Sequence, residues 1–237
     1  MSRVYSAQVN LHRGRDRPLV IGHRGAGALA APNSLAALTA GVAAGADLVE
    51  FDVGRGLLLG HRGEARVAAP AHLAEALELL APQPVAIEID LKRPGLASEV
   101  VRLVGAYALE GRVAVSTGSV ATLRSLAQSS PRLGRVASYP PDRLHLGLRG
   151  WPRARRARLP ARLTRLLLES GAGAVALHEG LVDAESLAAV HDRSAALLAW
   201  TVNDAARVRE LAELGVDALV SDDPRMVLNV LGTLNPT

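Results

Sequence analysis

The chain contains no cysteine, which excludes a disulfide scaffold, a thiolate zinc site and a cysteine nucleophile. Lysine is almost as scarce. Of 27 strong bases only Lys92 is a lysine, so the pI near 10.2 reflects arginine, which does not titrate in the relevant range, on a net charge of only +4. Aromatics make up 3% of the chain: Tyr5, Phe51, Tyr107, Tyr139, Trp151 and Trp200. That is too few for a base-stacking platform, and no glycine-rich nucleotide loop stands between a strand and a helix, so nucleic acid is not an expected partner. No apolar run reaches the roughly 18 residues of a membrane span, and Met1 to Pro18 is polar and arginine-rich rather than a signal sequence. A soluble, cytoplasmic protein without a transmembrane segment is the expectation; the oligomeric state is left open.

What is present is a core. Hydrophobic residues are 49% of the 237 and charged residues 21%, ample for a globular domain. Short apolar runs alternate with helical patterns. Strands are expected at residues 19–23, 47–53, 85–91, 113–117, 135–139, 174–178, 196–202 and 218–221, with Leu57 to His61 as a Gly-rich loop excursion. Helical segments are expected at 34–44, capped by Asn33 or Ser34, and at 71–80, 97–109, 119–127, 160–170, 184–193 and 205–214. Near-continuous apolar strands belong to a parallel sheet covered on both faces. Eight such units predict a single (β/α)8 TIM barrel over residues 18–237 behind an N-terminal extension, 1–17; an open doubly wound sheet is the alternative. Eight arginines fall between Arg143 and Arg165 near Trp151. They are read as a solvated loop and helix face, with contact to phosphate or an acidic membrane surface as the other reading.

Residues two apart in a strand share a face. Glu50 and Asp52 therefore point together, as do Glu88, Asp90 and Lys92, while Val49, Phe51, Val53, Ile87, Ile89 and Leu91 turn the other way. In a barrel the polar face is the interior, near the C-terminal mouth where barrel active sites form. Acids there need pairing or a cation, and an all-oxygen set suits Mg²⁺ or Ca²⁺ better than zinc. Internal salt bridges with Lys92 and Arg24 are the alternative. His23-Arg24-Gly25 follows the first strand and His61-Arg62-Gly63 the second. Two imidazoles, an arginine and a cation-holding acid cluster make a phosphodiester-cleaving set: one imidazole takes a proton, the other gives one to the leaving alkoxide.

These segments resemble a known family. His23-Arg24-Gly25-Ala26, Asn33-Ser34-Leu35, Gly45-Ala46-Asp47 and Glu50-Phe51-Asp52-Val53 are similar to the opening HRG, PENT and GAD-x-x-E-x-D-V segments of glycerophosphodiester phosphodiesterases. Trp200-Thr201-Val202-Asn203 and Gly215-Val216-Asp217…Ser221-Asp222-Asp223-Pro224 resemble its WTVN and GVD…TDDP segments, so the likeness runs over about residues 19–231. The resemblance implies a TIM barrel hydrolysing glycerophosphodiesters to glycerol 3-phosphate and an alcohol with a divalent cation, in glycerol and lipid metabolism. It implies His23 and His61 as catalytic histidines, and Arg24 and Lys92 as phosphate-binding residues. Trp200 becomes a wall of the glycerol pocket, and Glu50, Asp52 and Asp90 become metal ligands with Glu88 one pleat deeper. His72 and His178 are fallbacks for His61. The chain departs from the pattern at Pro32, where the family has a glutamate, at Arg62, where it has an aspartate, and in a shortened capping insertion before Ala71. The last leaves room for bulkier diesters such as lysophospholipids. The first two leave open a barrel that binds phosphate esters without cleaving them.

Overall fold

The computed structural model describes residues 8–14, 16–60, 69–140 and 156–234. Eight strands alternate with helices: β1 (Leu19–Gly22), α1 (Leu35–Ala43), β2 (Leu48–Val53), α2 (Leu73–Leu80), β3 (Ala86–Leu91), α3 (Ala97–Ala106), β4 (Val113–Thr117), α4 (Val120–Ser129), β5 (Gly134–Tyr139), α5 (Leu159–Ser170), β6 (Ala174–His178), α6 (Ala184–His191), β7 (Ala196–Trp200), α7 (Ala205–Leu214), β8 (Ala218–Ser221) and α8 (Pro224–Leu234). All strand pairings are parallel, and β1 closes on β8. The (β/α)8 barrel is therefore the fold, and the open-sheet alternative falls with that closure. Helix α8 was not among the segments singled out from the sequence. Asp223 marks its start, accepting from the backbone N–H of Arg225 and Met226.

The strand alternation divides the core in three. Phe51, Ile87 and Ile89 lie on the outer face of β2–β4 beneath α1–α4, and Val175, Leu197 and Leu219 on the outer face of β6–β8 beneath α5–α8. Each fully buried side chain of this size contributes about 1.5–3 kcal/mol relative to exposure. The interior holds Ile21, Leu48, Val136 and Leu198 among the small residues Ala114, Ala174, Ala176, Ala196 and Ala218. Leu11, 6% exposed, completes this interior cluster with Val9 packed against it. A side-chain carbon on Gly134 would lie 2.8 Å from Val9 Cγ1, so Val9 and Leu11 fill the lower end of the barrel and share its core.

Two acids fasten that end. Asp47 accepts from the Val20 N–H at 2.7 Å and from both terminal nitrogens of Arg17. Asp217, 3% exposed, accepts from the N–H of Leu197 at 2.8 Å and of Arg13 at 3.1 Å, and pairs with His191 Nε2 at 2.8 Å. At the other end, α1 is capped by Ser34, whose Oγ accepts from Ala37 N–H at 3.1 Å. Helix α2 carries a reciprocal cap. His72 Nδ1 accepts from Ala74 N–H, and Glu75 accepts from the His72 N–H. Between β2 and α2, Leu59 bridges back to Val53 and Leu58 to His72, which makes Leu57–Gly60 a loop excursion returning quickly to the barrel wall. No described helix is long and apolar enough to cross a membrane.

Candidate functional site

The β1–α1 turn is held close to the barrel. A side-chain carbon on Gly25 would lie 2.4 Å from the Ala37 carbonyl carbon, and one on Gly41 would lie 2.5 Å from Gly25 O, so glycine is required where this turn meets α1. The compact turn leaves Arg24 in the left-handed region, φ 52°, an uncommon conformation for a residue with a side chain. Its N–H then donates to Glu50 Oε2 at 2.8 Å, tying the turn to the second strand.

Register brings the acids of two strands side by side: Glu50 opposite Glu88 and, one inward step nearer the mouth, Asp52 opposite Asp90. Glu50, Asp52 and Glu88 are 5%, 1% and 3% exposed. Lys92 Nζ sits 2.9 Å from Asp52 Oδ1 and 2.6 Å from Asp90 Oδ2, and Arg24 Nε is 3.4 Å from Asp52 Oδ2. Asn33 closes the same acid on its other side. Its Nδ2 donates to Asp52 Oδ2 at 3.0 Å, and its Oδ1 accepts the Asp52 N–H at 2.9 Å. Burial pushes the Asp52 carboxyl up, but the charges of Lys92 and Arg24 and the bonds from Lys92 and Asn33 outweigh it, so Asp52 stays below the usual carboxylate range.

Its neighbours behave oppositely. Burial, with the charges of Asp52, Asp90 and Glu88, raises Glu50 to about 8 against the opposing pull of His23. Burial and Asp90 raise Glu88 to about 7, although Ser116 and Lys92 pull the other way. The internal salt bridges foreseen as an alternative are therefore present, yet they satisfy only part of the cluster. Two permanent cations face four acids, and the surplus is expressed as held protons.

An oxygen from each of Glu50, Asp52 and Asp90 lies within 4.8 Å of the others, a set of hard donors that fits Mg²⁺ or Ca²⁺. A divalent cation there would relieve the repulsion that otherwise keeps protons on the acids. Glu88 is not part of this group.

His23 stands at the end of β1, its Nδ1 2.7 Å from Asp222 Oδ1. Asn203 Nδ2 donates to the other Asp222 oxygen, and Asn203 Oδ1 accepts from the Asp222 N–H and the Ser221 hydroxyl, each at 3.0 Å. Burial lowers the His23 pKa, but the Asp222 bond and the charges of Glu50 and Asp222 outweigh it and leave the imidazole raised. Burial raises Asp222, and its bonds and charge interaction with His23 outweigh that, leaving it lowered. Asp222 thus orients the ring through Nδ1, and an imidazole is a group able to gain or lose a proton near neutral pH.

A cavity of about 190 Å³ unites His23, Arg24, Glu50, Asp52, Glu88, Asp90, Lys92 and Trp200 at the C-terminal end of the strands, where barrel active sites form. His178 meets the edge of Trp200 with ring centroids 5.4 Å apart, and its Nδ1 accepts from the Gly180 N–H. His178 braces the tryptophan and His72 caps a helix. His61, Arg62 and the segment from Arg143 to Arg155, Trp151 included, lie outside the described residues. Asn33, Asn203 and Asp222 were quoted within motifs but given no site role; their signal was the motifs themselves.

The model of the glycerophosphoryl diester phosphodiesterase family matches residues 23–55 and 67–226. A curated Arabidopsis thaliana protein, glycerophosphodiester phosphodiesterase GDPD4, is 38% identical over 69 residues, a match spanning 29% of this chain and 21% of that protein. A Parabacteroides distasonis glycerophosphodiester phosphodiesterase superposes with a TM-score of 0.74 at 17% identity, covering 93% of this chain and 99% of that one. An Oleispira antarctica phosphodiesterase, solved with the product sn-glycerol-3-phosphate, gives 0.67 at 20% identity, covering 91% and 97%. These structural likenesses concern the fold.

Proposed function

Because the chain belongs to the glycerophosphoryl diester phosphodiesterase family, we propose that its mouth hydrolyses glycerophosphodiesters to sn-glycerol 3-phosphate and an alcohol. The product held by the Oleispira antarctica protein supports this choice of product. The observation that carries the reading is the convergence, in one cavity, of three carboxylate oxygens within 4.8 Å and an aspartate-oriented imidazole beside Arg24 and Lys92. A divalent cation held by Glu50, Asp52 and Asp90, Mg²⁺ or Ca²⁺, would supply positive charge against the negative charge growing on the phosphoryl oxygens.

Arg24 and Lys92 would bind those oxygens. The guanidinium fork suits two of them, and the compact ammonium suits the crowded place between Asp52 and Asp90. His23, with Nδ1 engaged by Asp222, would carry its mobile proton on Nε2 and give it to the departing alkoxide. Asp222 then stabilises the charged ring before transfer and holds the tautomer after it. The opposite proton, from attacking water, falls to His61 by its sequence position after β2. Trp200, braced by His178, would wall the side of the cavity that takes the glycerol unit. The O–P bond to water forms as the O–P bond to the alcohol breaks, so one proton leaves water and one reaches the alcohol.

Purified protein with Mg²⁺ or Ca²⁺ should release sn-glycerol 3-phosphate and choline from glycerophosphocholine, and a chelator should stop it. No turnover of glycerophosphocholine or lysophosphatidylcholine, with a control enzyme active in the same assay, would sink the proposal.

A further inference from the structure

Four acids face the mouth, and the cation group and the lysine network together use three of them. Glu88 remains. It lies one inward step below Asp90 on β3, is 3% exposed, and its Oε2 is buried without a hydrogen-bond partner. Beside it, on β4, the Ser116 hydroxyl is 2% exposed and near enough to lower the Glu88 pKa, yet it too completes no well-formed hydrogen bond. Both line the described cavity, and the side chains of Ser138 and Ala176 in the same lining are small. A buried carboxyl and a buried hydroxyl that meet only each other, in poor geometry, leave hydrogen-bonding capacity in the floor of the cavity that a ligand can complete.

We propose that Glu88 and Ser116 form a hydroxyl-recognising subsite that selects the diol of the glycerol unit. The inference rests on the phosphodiesterase reading for its substrate class. Carboxylate oxygens accept from two neighbouring hydroxyls, and the serine hydroxyl both gives and accepts. The small residues Ser138 and Ala176 leave space for the carbon chain. A site built to bond hydroxyls rejects an analogue lacking them, because its own polar groups are then buried unpaired.

The test compares two ligands with the same phosphate and the same three carbons, sn-glycerol 3-phosphate and n-propyl phosphate, by calorimetry on the full chain saturated with Ca²⁺. The wild-type protein should bind glycerol 3-phosphate tighter by about tenfold or more. Glu88→Met and Ser116→Ala, two substitutions of modest volume change, should each shrink that preference while leaving propyl phosphate within about twofold. Equal wild-type affinities, or parallel loss of both ligands in both variants, would overturn the subsite. So would a fall in Ca²⁺ affinity in Glu88→Met that matched the loss of ligand, since Glu88 would then be a cation ligand. Turnover of glycerophosphocholine in the same preparation answers separately. A preserved preference without turnover refutes hydrolysis and supports the subsite.

Discussion

The two ends of the barrel use the same side chains for opposite purposes. At the lower end Asp47 and Asp217 each meet a strand N–H and a cationic or imidazole partner: Arg17 for the first, His191 for the second. Each of these carboxylates sits among donors. At the mouth Glu50 and Glu88 are buried and, although Glu50 accepts from the Arg24 N–H, other carboxylates crowd both, and burial with that repulsion lifts them to about 8 and about 7. A satisfied acid fastens structure; a crowded one holds its proton beyond its ordinary range, and a cation could take that proton's place. The difference lies in what each acid faces, and the sequence motifs GAD and GVD look no less catalytic than E-x-D.

The sharpest way to break this comparison is to neutralise one acid at each end. Glu50→Gln should lower turnover of glycerophosphocholine by about 10³-fold or more while the melting temperature in chelator stays level near neutral pH and rises above pH 8, because the neutral amide replaces a carboxyl that is protonated below about 8 and repelled by its neighbours once ionised. Asp217→Ala should do the reverse. It strands the N–H groups of Leu197 and Arg13 and the His191 ring, at a cost of about 3 kcal/mol, or a melting temperature lower by roughly 6–12 °C. Its turnover per folded molecule should stay near that of the wild type. Equal loss of activity in both variants, measured below their melting temperatures, would erase the distinction between the two ends.

Asp222 tests the mouth from its other side, as an acid that is satisfied and yet assigned to chemistry. Asp222→Asn removes the charge beside His23 and forces the amide to choose between His23 Nδ1 and Asn203 Nδ2. The expected result is a kcat lower by about 10²-fold with KM little changed. Since Asp222 helps hold the His23 pKa up, the alkaline limb of the kcat–pH profile should also move to lower pH. A merely structural aspartate would leave the position of that limb unchanged.

Most of the fold was legible because each strand announces itself twice, as an apolar run and as a turn between helices. Ile87-Glu88-Ile89-Asp90-Leu91 is the clearest case: its period of two already assigns the isoleucines to the helices and the acids to the interior, and both assignments hold. Lys92 was legible for a similar reason, since the same period of two puts it on the polar face with Glu88 and Asp90. The interior role of Leu11 was not, because a short apolar residue in an arginine-rich stretch gives no period to read; only the closed barrel creates the hole it fills. Nor could the sequence assign Asp222 and Asn203 to His23, some 199 and 180 residues away along the chain by their numbering. That neighbourhood exists only because β8 closes on β1.

The smallest effect separates the two ends by pH alone. In metal-free folded protein Glu50 and Glu88 hold their protons up to about 8 and about 7, while the ordinary value for each is 4.5. Between those limits the folded state binds more protons than the unfolded one, so their stabilising contribution is complete below the ordinary value and lost as pH rises through 7 to 8. His23, also raised, acts in the same direction, whereas Asp52 and Asp222 are lowered and their contributions stay constant above about pH 5. The melting temperature in chelator should therefore fall by a few degrees from about pH 5.5 to about pH 8.5. Ca²⁺ should restore more of it at the upper pH, where it no longer competes with protons. Glu50→Gln should flatten the fall and Asp217→Ala should lower the whole curve without changing its slope. A melting temperature that is level or rising over this range in chelator would mean that the mouth acids are already satisfied, and that the two ends of the barrel do not differ in the way their neighbours indicate.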